Sequence, residues 1–273
     1  MEQAQKALES IAPQTLDEAL ALLARRDAEL AALRSAQQDW VHAVSHDLRA
    51  PLRHLLAFNP LIAELLQASR PALEDLEEAR SFLQTMDQSA QRMSQMMDGL
   101  LQLTRAQRHV LQWQTVDLGQ LLSALQVRLQ AQSMDREIEW QLPLATPQVQ
   151  ADAHLLEQAL MAGLSNAVKF SRAVPQARIQ VDVSADEHGA CIVSIRDNGA
   201  GFEQERAGRL FGIFQRMHRE ADFEGVGVGL ALVRDICRRH GGDAKIQAQM
   251  NAGCQLTMSW PQGGGADSGR VMV

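Results

Sequence analysis

Between residues 83 and 104 the apolar side chains advance by steps of three and four: Leu83, Met86, Ala90, Met93, Met97, Leu100 and Thr104. Such spacing is a heptad seam, one narrow stripe along a long helix over about residues 73–108. A second stripe, Val41, Val44, Leu48, Leu52 and Leu55, marks another long helix before it, and Ala68-Ser69-Arg70-Pro71 reads as the turn between them. Two helices of this length, each with a single apolar face, cannot hide those faces inside a lone hairpin. Pairing two hairpins gives a four-helix bundle, so the spacing predicts a homodimer. The methionines of the seam read as core packing rather than a cofactor site. Pro51 removes one helical hydrogen bond, which predicts a bend there, and Asn59-Pro60 is a second candidate irregularity.

On the first helix His46 points away from the apolar stripe, because a helix turns about 100° per residue and Leu48 lies two positions on. An imidazole facing solvent with Asp47 directly after it suits proton and phosphoryl chemistry. Taken alone, it is also what a solvated surface pair looks like. Farther upstream Leu16, Leu20, Leu23, Leu30 and Leu33, interrupted by Asp27, form a coiled-coil-like stripe. It is read as a parallel dimer helix over residues 1–37; a single solvated helix is the alternative.

After His109 the periodicity changes. Ile138–Leu142, Ala177–Val183, Cys191–Arg196, Lys245–Met250 and Cys254–Trp260 read as strands, and Val116–Gln130, Ala153–Phe170 and Val228–Arg239 as helices. This order predicts an α+β layer, a mixed sheet under a helical face. The Gly-rich residues 264–273 are expected to be a disordered tail. With 273 residues there is room for two domains, and 4% aromatic content with no Tyr favours helices over an all-β fold. A net charge of −7 argues against a nucleic-acid partner. Cys191, Cys237 and Cys254 stand far apart and read as reduced cytosolic thiols without a zinc site. No apolar run reaches the ~20 residues that cross a bilayer and no secretory leader is visible, so a cytoplasmic protein without a membrane span is expected.

Three further motifs carry chemistry. Asp197-Asn198-Gly199-Ala200-Gly201 follows a strand; its glycines permit positive φ and close backbone approach, and Asp197 offers an acceptor. Gly225-Val226-Gly227-Val228-Gly229-Leu230 opens a helix, where exposed amides and a positive helix end suit phosphate oxygens. It is not a P-loop, since no Gly-Lys-Ser/Thr follows. Asn166-Ala167-Val168-Lys169 puts a metal-ligating carbonyl and an ammonium on nearly one helix face. Each alone admits a plainer reading: an empty turn, a hinge, a surface pair.

Together, and in this order, they resemble the sensor histidine kinases of two-component signalling. Val44 to Leu52 is similar to the family's H box, Leu164 to Ser171 to its N box, and Asp197 to Phe202 to its first glycine box. Leu210-Phe211-Gly212-Ile213-Phe214-Gln215-Arg216 is similar to the F box and Gly225 to Ala231 to the second glycine box. The likeness covers about residues 38–261, and Arg216 to Gly225 looks most like the phytochrome-type subset. The resemblance implies a helical-hairpin dimerisation and phosphotransfer domain over 38–109 and an α/β-sandwich ATPase domain of the histidine kinase, gyrase and Hsp90 type over 110–263. It implies that His46 accepts the γ-phosphoryl group of ATP, with Asp47 as neighbouring base or orienting acceptor. Asp197 would meet the adenine amino group, Asn166 would hold Mg²⁺, and Lys169 the phosphates. Gly199, Gly201, Phe211, Gly225, Gly227, Gly229 and Leu230 would complete the ATP site. The phosphoryl group would pass to an Asp of a separate response regulator, and an upstream sensor would lie outside this chain. Two departures bear on rate. Ala162 stands where many relatives carry a further N-box Asn, which removes a polar ligand. Ala50, four residues after His46, stands where phosphatase-competent relatives carry Thr or Asn, so weak phosphatase activity is expected.

Overall fold

The computed structural model describes residues 15–66, 72–133, 136–187, 189–219 and 222–261. The expected turn at 68–71, the tail at 264–273 and His188 lie outside them. The chain forms two compact units, Met1–Arg49 and Ala50–Val273.

Helix α1 runs Leu16–Leu66 without interruption, through both Pro51 and Pro60. In the first unit Leu20, Leu23 and Leu30 of the upstream stripe are exposed, as is Val41 of the second stripe; the side chains of Leu16 and Leu33 lie outside the described residues. Val44 and Leu48 are half-buried.

In the second unit α2 (Leu73–Arg108) packs antiparallel chemistry of two kinds against the rest of α1: Phe58 stacks on Phe82 with ring centroids 4.9 Å apart, and Ser89 lies 3.4 Å from His54 Nδ1. Asp75 opens α2 by accepting the Ala72 N–H at 3.0 Å, and Arg105 and Arg108 sit in its last turn, where cations complement the helix dipole. The buried residues of α2 are Ala79, Ser89, Met96, Leu103 and Ala106. This row differs from the seam read from sequence. Met86, Met93 and Leu100 are half-buried, whereas Leu83 and Met97 are 53% and 54% exposed. One chain therefore covers one flank of the stripe and leaves the other bare.

Beyond His109 the α/β layer begins with β1 (Trp113–Asp117), which pairs antiparallel with β3 (Gln148–Asp152). Sequence reading missed both strands, because each is five residues long and mostly polar. Their pairing also moves the start of α3 (Leu118–Gln132): Val116 belongs to β1, and Asp117 caps the helix by accepting the Gln120 N–H at 3.0 Å. The main sheet has the order β2-β4-β5-β7-β6, formed by β2 (Ile138–Gln141), β4 (Ala177–Ala185), β5 (Cys191–Asp197), β7 (Gly253–Trp260) and β6 (Asp243–Gln249). Only the β2–β4 pair is parallel. Alternate residues Val193, Ile195, Leu256 and Met258 are buried on one face of the sheet, under α4 (Ala153–Phe170) and α5 (Gly229–Arg239). Gly163 lets α4 sit close, since a Cβ there would stand 2.8 Å from Ile195 Cδ1. A short 3₁₀ helix, Gln204–Arg209, which the sequence patterns did not signal, follows β5. The expected mixed sheet under a helical face is thus present, with the remaining element ends shifted by one or two residues.

Candidate active site

In the first unit α1 presents His46 on its surface. Its side chain is 81% exposed, and its Nδ1 lies 2.9 Å from Asp47 Oδ1. A carboxylate can only accept, so Nδ1 carries the hydrogen and Nε2 keeps its lone pair toward solvent. In the neutral ring this arrangement leaves Nε2 as the nitrogen with a lone pair able to act as a nucleophile.

The second unit contains a pocket of about 440 Å³ between α4, α5, the sheet and the segment before α5. At its floor, β5 ends in Asp197, only 7% exposed. Burial pushes this carboxyl up to about 6, against the opposing pull of the Gly199 N–H, which it accepts at 2.8 Å, and of the Cys254 backbone. Around the carboxylate are apolar Ile195, Phe202, Leu210, Ile246 and Leu256. The combination is a flat-ligand slot with one acceptor that specifies an amino group. Gly201 makes the turn possible: it has φ +56°, and a Cβ there would stand 1.9 Å from the Gln249 carbonyl oxygen.

The opposite end of the pocket is polar. Asn166 and Lys169, one turn apart on α4, both line it, together with Gly225, Gly227, Gly229 and Leu230. Gly227 has φ +76°, and a Cβ there would meet the Gln215 carbonyl at 2.7 Å, so the strip folds over the F-box segment only without a side chain. Phe214 holds it there, its N–H donating to the Gly227 carbonyl at 2.9 Å. Burial, with Arg216 nearby, lowers the Lys169 ammonium to about 8, and the ammonium sits 4.3 Å over the Phe170 ring. Arg172 closes an ion pair on Glu224 at 2.5 Å, and Phe223 packs on Phe170 and His218. This ring cluster straps the loop before the glycine strip to the end of α4.

Two expected residues do not line the pocket. Gly199 reaches it only through Asp197, to whose Oδ1 its N–H donates at 2.8 Å. Phe211 does not line the pocket; it packs against the small cluster of Phe202, Ala207, Leu210 and Ile246, with the Arg234 guanidinium 4.9 Å above its ring. Its neighbour Leu210 takes the lining position, because the turn after the 3₁₀ helix rotates the two side chains to different sides. Sequence reading also missed four lining residues on α2: Gln95, Asp98, Gly99 and Gln102. A glycine in the middle of a heptad run was the available signal.

Among the described residues no group of three His, Cys, Asp or Glu side chains could hold a metal. At the polar end the Asn166 side-chain carbonyl is one oxygen that could hold a metal. That fits magnesium, a hard ion that takes few protein oxygens when it arrives with phosphates. Among the described residues no helix is long and apolar enough to cross a membrane.

Two family models match successive stretches of the chain. Residues 36–109 match the model of the His Kinase A (phospho-acceptor) domain, and residues 151–264 match that of the Histidine kinase-, DNA gyrase B-, and HSP90-like ATPase. Among curated relatives, the methanogenesis regulatory histidine kinase FilI of Methanothrix harundinacea is 28% identical over 88% of this chain and 26% of its own length. Cyanobacterial phytochrome A of Nostoc sp. is 27% identical over 95% of this chain and 32% of its length. The alginate biosynthesis sensor protein KinB of Pseudomonas aeruginosa is 28% identical over 88% and 39%. The chain thus spans between about a quarter and two fifths of these relatives. The Acinetobacter baumannii histidine kinase AdeS shares the fold, with a TM-score of 0.54 at 20% identity over 80% of this chain and 98% of that one.

Proposed function

The chain belongs to the sensor histidine kinases, and from that membership we propose that it autophosphorylates His46 from ATP and hands the phosphoryl group to an Asp of a separate response regulator. The observation that carries this reading is the two-ended pocket, with a buried acceptor, Asp197, at an apolar floor and Asn166, Lys169 and the glycine strip at the other end.

In this reading Asp197 accepts from the adenine amino group, and its burial makes that single bond selective. Lys169 and the amides of Gly225, Gly227 and Gly229 meet the phosphates, with Leu230 and the Phe214–Gly227 bond keeping the strip in place. Asn166 would hold magnesium, which neutralises phosphate charge when bound. His46 Nε2 attacks the γ-phosphorus, the bond to the β-phosphate oxygen breaks, and ADP leaves. Asp47 stabilises the imidazole as it becomes positive. Such a reaction needs positioning and charge neutralisation more than covalent help. Ala162 leaves the N box one polar ligand short and lowers the rate; Ala50 offers nothing to orient a water at phosphoaspartate, so phosphatase activity is weak.

The bare flank of α2 and the exposed leucines of α1 support a homodimer with an upstream coiled coil. The domain division proposed is a coiled coil over 1–37, phosphotransfer over 38–109 and ATP binding over 110–263, acting in the cytoplasm downstream of a sensor outside this chain. Likeness to Nostoc phytochrome A over 95% of the chain supports the phytochrome-type subset.

The test is incubation with γ-labelled ATP and Mg²⁺, comparing the parent with His46→Gln. Acid-labile, alkali-stable label in the parent alone is expected. Equal label in both, or ATP hydrolysis with no phosphoprotein, would overturn the proposal.

A further inference from the structure

The ATPase layer does not wall its pocket alone. Gln95, Asp98, Gly99 and Gln102 put one face of α2 along the polar end. At Gly99 the two come close: a Cβ there would stand 2.8 Å from Val228 Cγ2. Val228 is the residue on which α5 begins, inside the glycine strip. A glycine within a helix weakens it, and here its notch admits that valine. The seam continues toward the end of α2. Gln102 donates to Gln158 Oε1 at 3.3 Å, and Gln107 donates to Asp235 Oδ1 at 3.4 Å.

It ends at Asp152, which is 2% exposed. Oδ1 caps α4 by accepting the Leu155 N–H at 3.0 Å. Oδ2 accepts the Gln112 N–H and the His109 Nε2–H, both at 2.8 Å. The Asp152 N–H donates to His240 Nε2 at 3.0 Å. Since that nitrogen accepts, the hydrogen of His240 is on Nδ1, which donates to the Ile236 carbonyl at 2.8 Å. Beside it the Arg239 guanidinium donates to the carbonyls of Ala106 and His109, which end α2. Asp152 thus ties together three helix ends: its carboxylate joins the C-terminus of α2 to the N-terminus of α4, and its backbone N–H holds the C-terminus of α5. The far ends of α4 and α5 carry Asn166, Lys169 and the glycine strip, about 15–25 Å away at 1.5 Å per residue.

We propose that Asp152 and His109 are positioning residues that hold α2 across the mouth of the nucleotide pocket as a cover, so that loosening their bond opens the mouth. This rests on the nucleotide reading of the pocket. The cover is a resting arrangement: Asp98 brings a carboxylate to the end where triphosphate charge belongs, and like charges repel there. Holding α2 in place therefore opposes entry, and the knot that holds it lies outside the pocket.

A cross-link reads the cover directly. The Cβ position of Gly99 lies 3.2 Å from Val228 Cβ, near the ~3.8 Å that disulfides prefer. The native thiols do not compete, because burial raises Cys191 to about 11 and Cys237 and Cys254 to about 12. In the full chain carrying Gly99→Cys and Val228→Cys, the disulfide is expected to close readily under mild oxidant. His109→Ala in that background slows closure by about tenfold, the value of one hydrogen bond to a charged group, while His109→Gln, which keeps a donor for Asp152, restores it. A purely structural effect of His109 would not distinguish these two variants. No closure in the double-cysteine chain, closure in His109→Ala as fast as in its parent, or no rescue by His109→Gln overturns the proposal. Failure of the nucleotide reading shows itself separately, as absence of ATP binding in the reduced chain, with closure rates untouched.

Discussion

Replacing Asp197 by Asn separates what this carboxylate does for ligand from what it does to the fold. Its carboxyl is held near 6 by burial rather than at 3.8. In the folded state it stays protonated where the unfolded chain has already ionised. The folded state therefore loses stability as pH rises from about 4 to about 6, and above that the full cost, about 3 kcal/mol, stays in place. Asn has the same shape, keeps an oxygen for the Gly199 N–H and removes the charge. At pH 8 the variant should melt higher, by about 5 °C or more. Its amide, however, presents N–H where adenine also presents N–H. Losing a bond to a charged group and leaving donors opposed weakens ATP binding by about 10- to 100-fold. In the parent, ATP affinity should hold above pH 6 and decline below it as Asp197 protonates. Calorimetric melting and ATP titration at pH 5, 6 and 8 give both readouts. A variant that melts at or below the parent at pH 8, or that binds ATP as tightly, would refute the assignment.

Lys169 should impose the opposite limit. Lowered to about 8 by burial, it gives up its proton above that pH; ATP affinity then falls between pH 8 and 9.5 in the parent and is flat in Lys169→Met, while the fold itself gains stability over the same rise. Gly201→Ala forces a Cβ against the Gln249 carbonyl at φ +56° and should cost about 2 kcal/mol or more in thermal melting; Gly208→Ala, with nothing within 4 Å, is the neutral control. Charging the bare flank of α2 with Leu83→Glu and Met97→Glu should give a monomer by sedimentation, since burying each side chain contributes about 1.5–3 kcal/mol; a dimer of unchanged affinity would remove α2 from the interface.

How much of this could be read from sequence depends on whether the determining interaction was local. The helical span of α2, the alternation in β4, β5 and β7 and the exposed position of His46 follow from neighbours within a few residues, and the structure shows each. The strands β1 and β3 were invisible because five mostly polar residues bury too little to leave a pattern; only their pairing makes them strands. Helix α1 continues through Pro51, where the sequence predicts a bend rather than an end. Within α2 the periodicity announced an apolar stripe but not its division into a flank that one chain buries and a flank that it leaves bare. Both flanks satisfy the same spacing, and only the packing of the second unit separates them.

The pocket follows the same logic. Asp197, Asn166, Lys169, Gly201, Gly225, Gly227 and Gly229 belong to local turns and helix faces, so their motifs mark them in sequence, and the fold gathers them around one cavity. Leu210 and Phe211 are adjacent and both apolar, and spacing cannot say which of them faces the cavity; a turn decides for Leu210. Asp152 left no motif because its partners come from four places, residues 109, 112, 155 and 240, and each bond needs the assembled fold. A buried carboxylate that closes so many bonds is costly unless every one is made. Removing His109 alone should therefore disturb the joint between α2 and the ATPase layer while leaving the local geometry at Asp197 and Lys169 intact, and that separation makes the joint a place where motion of α2 can act on a distant pocket.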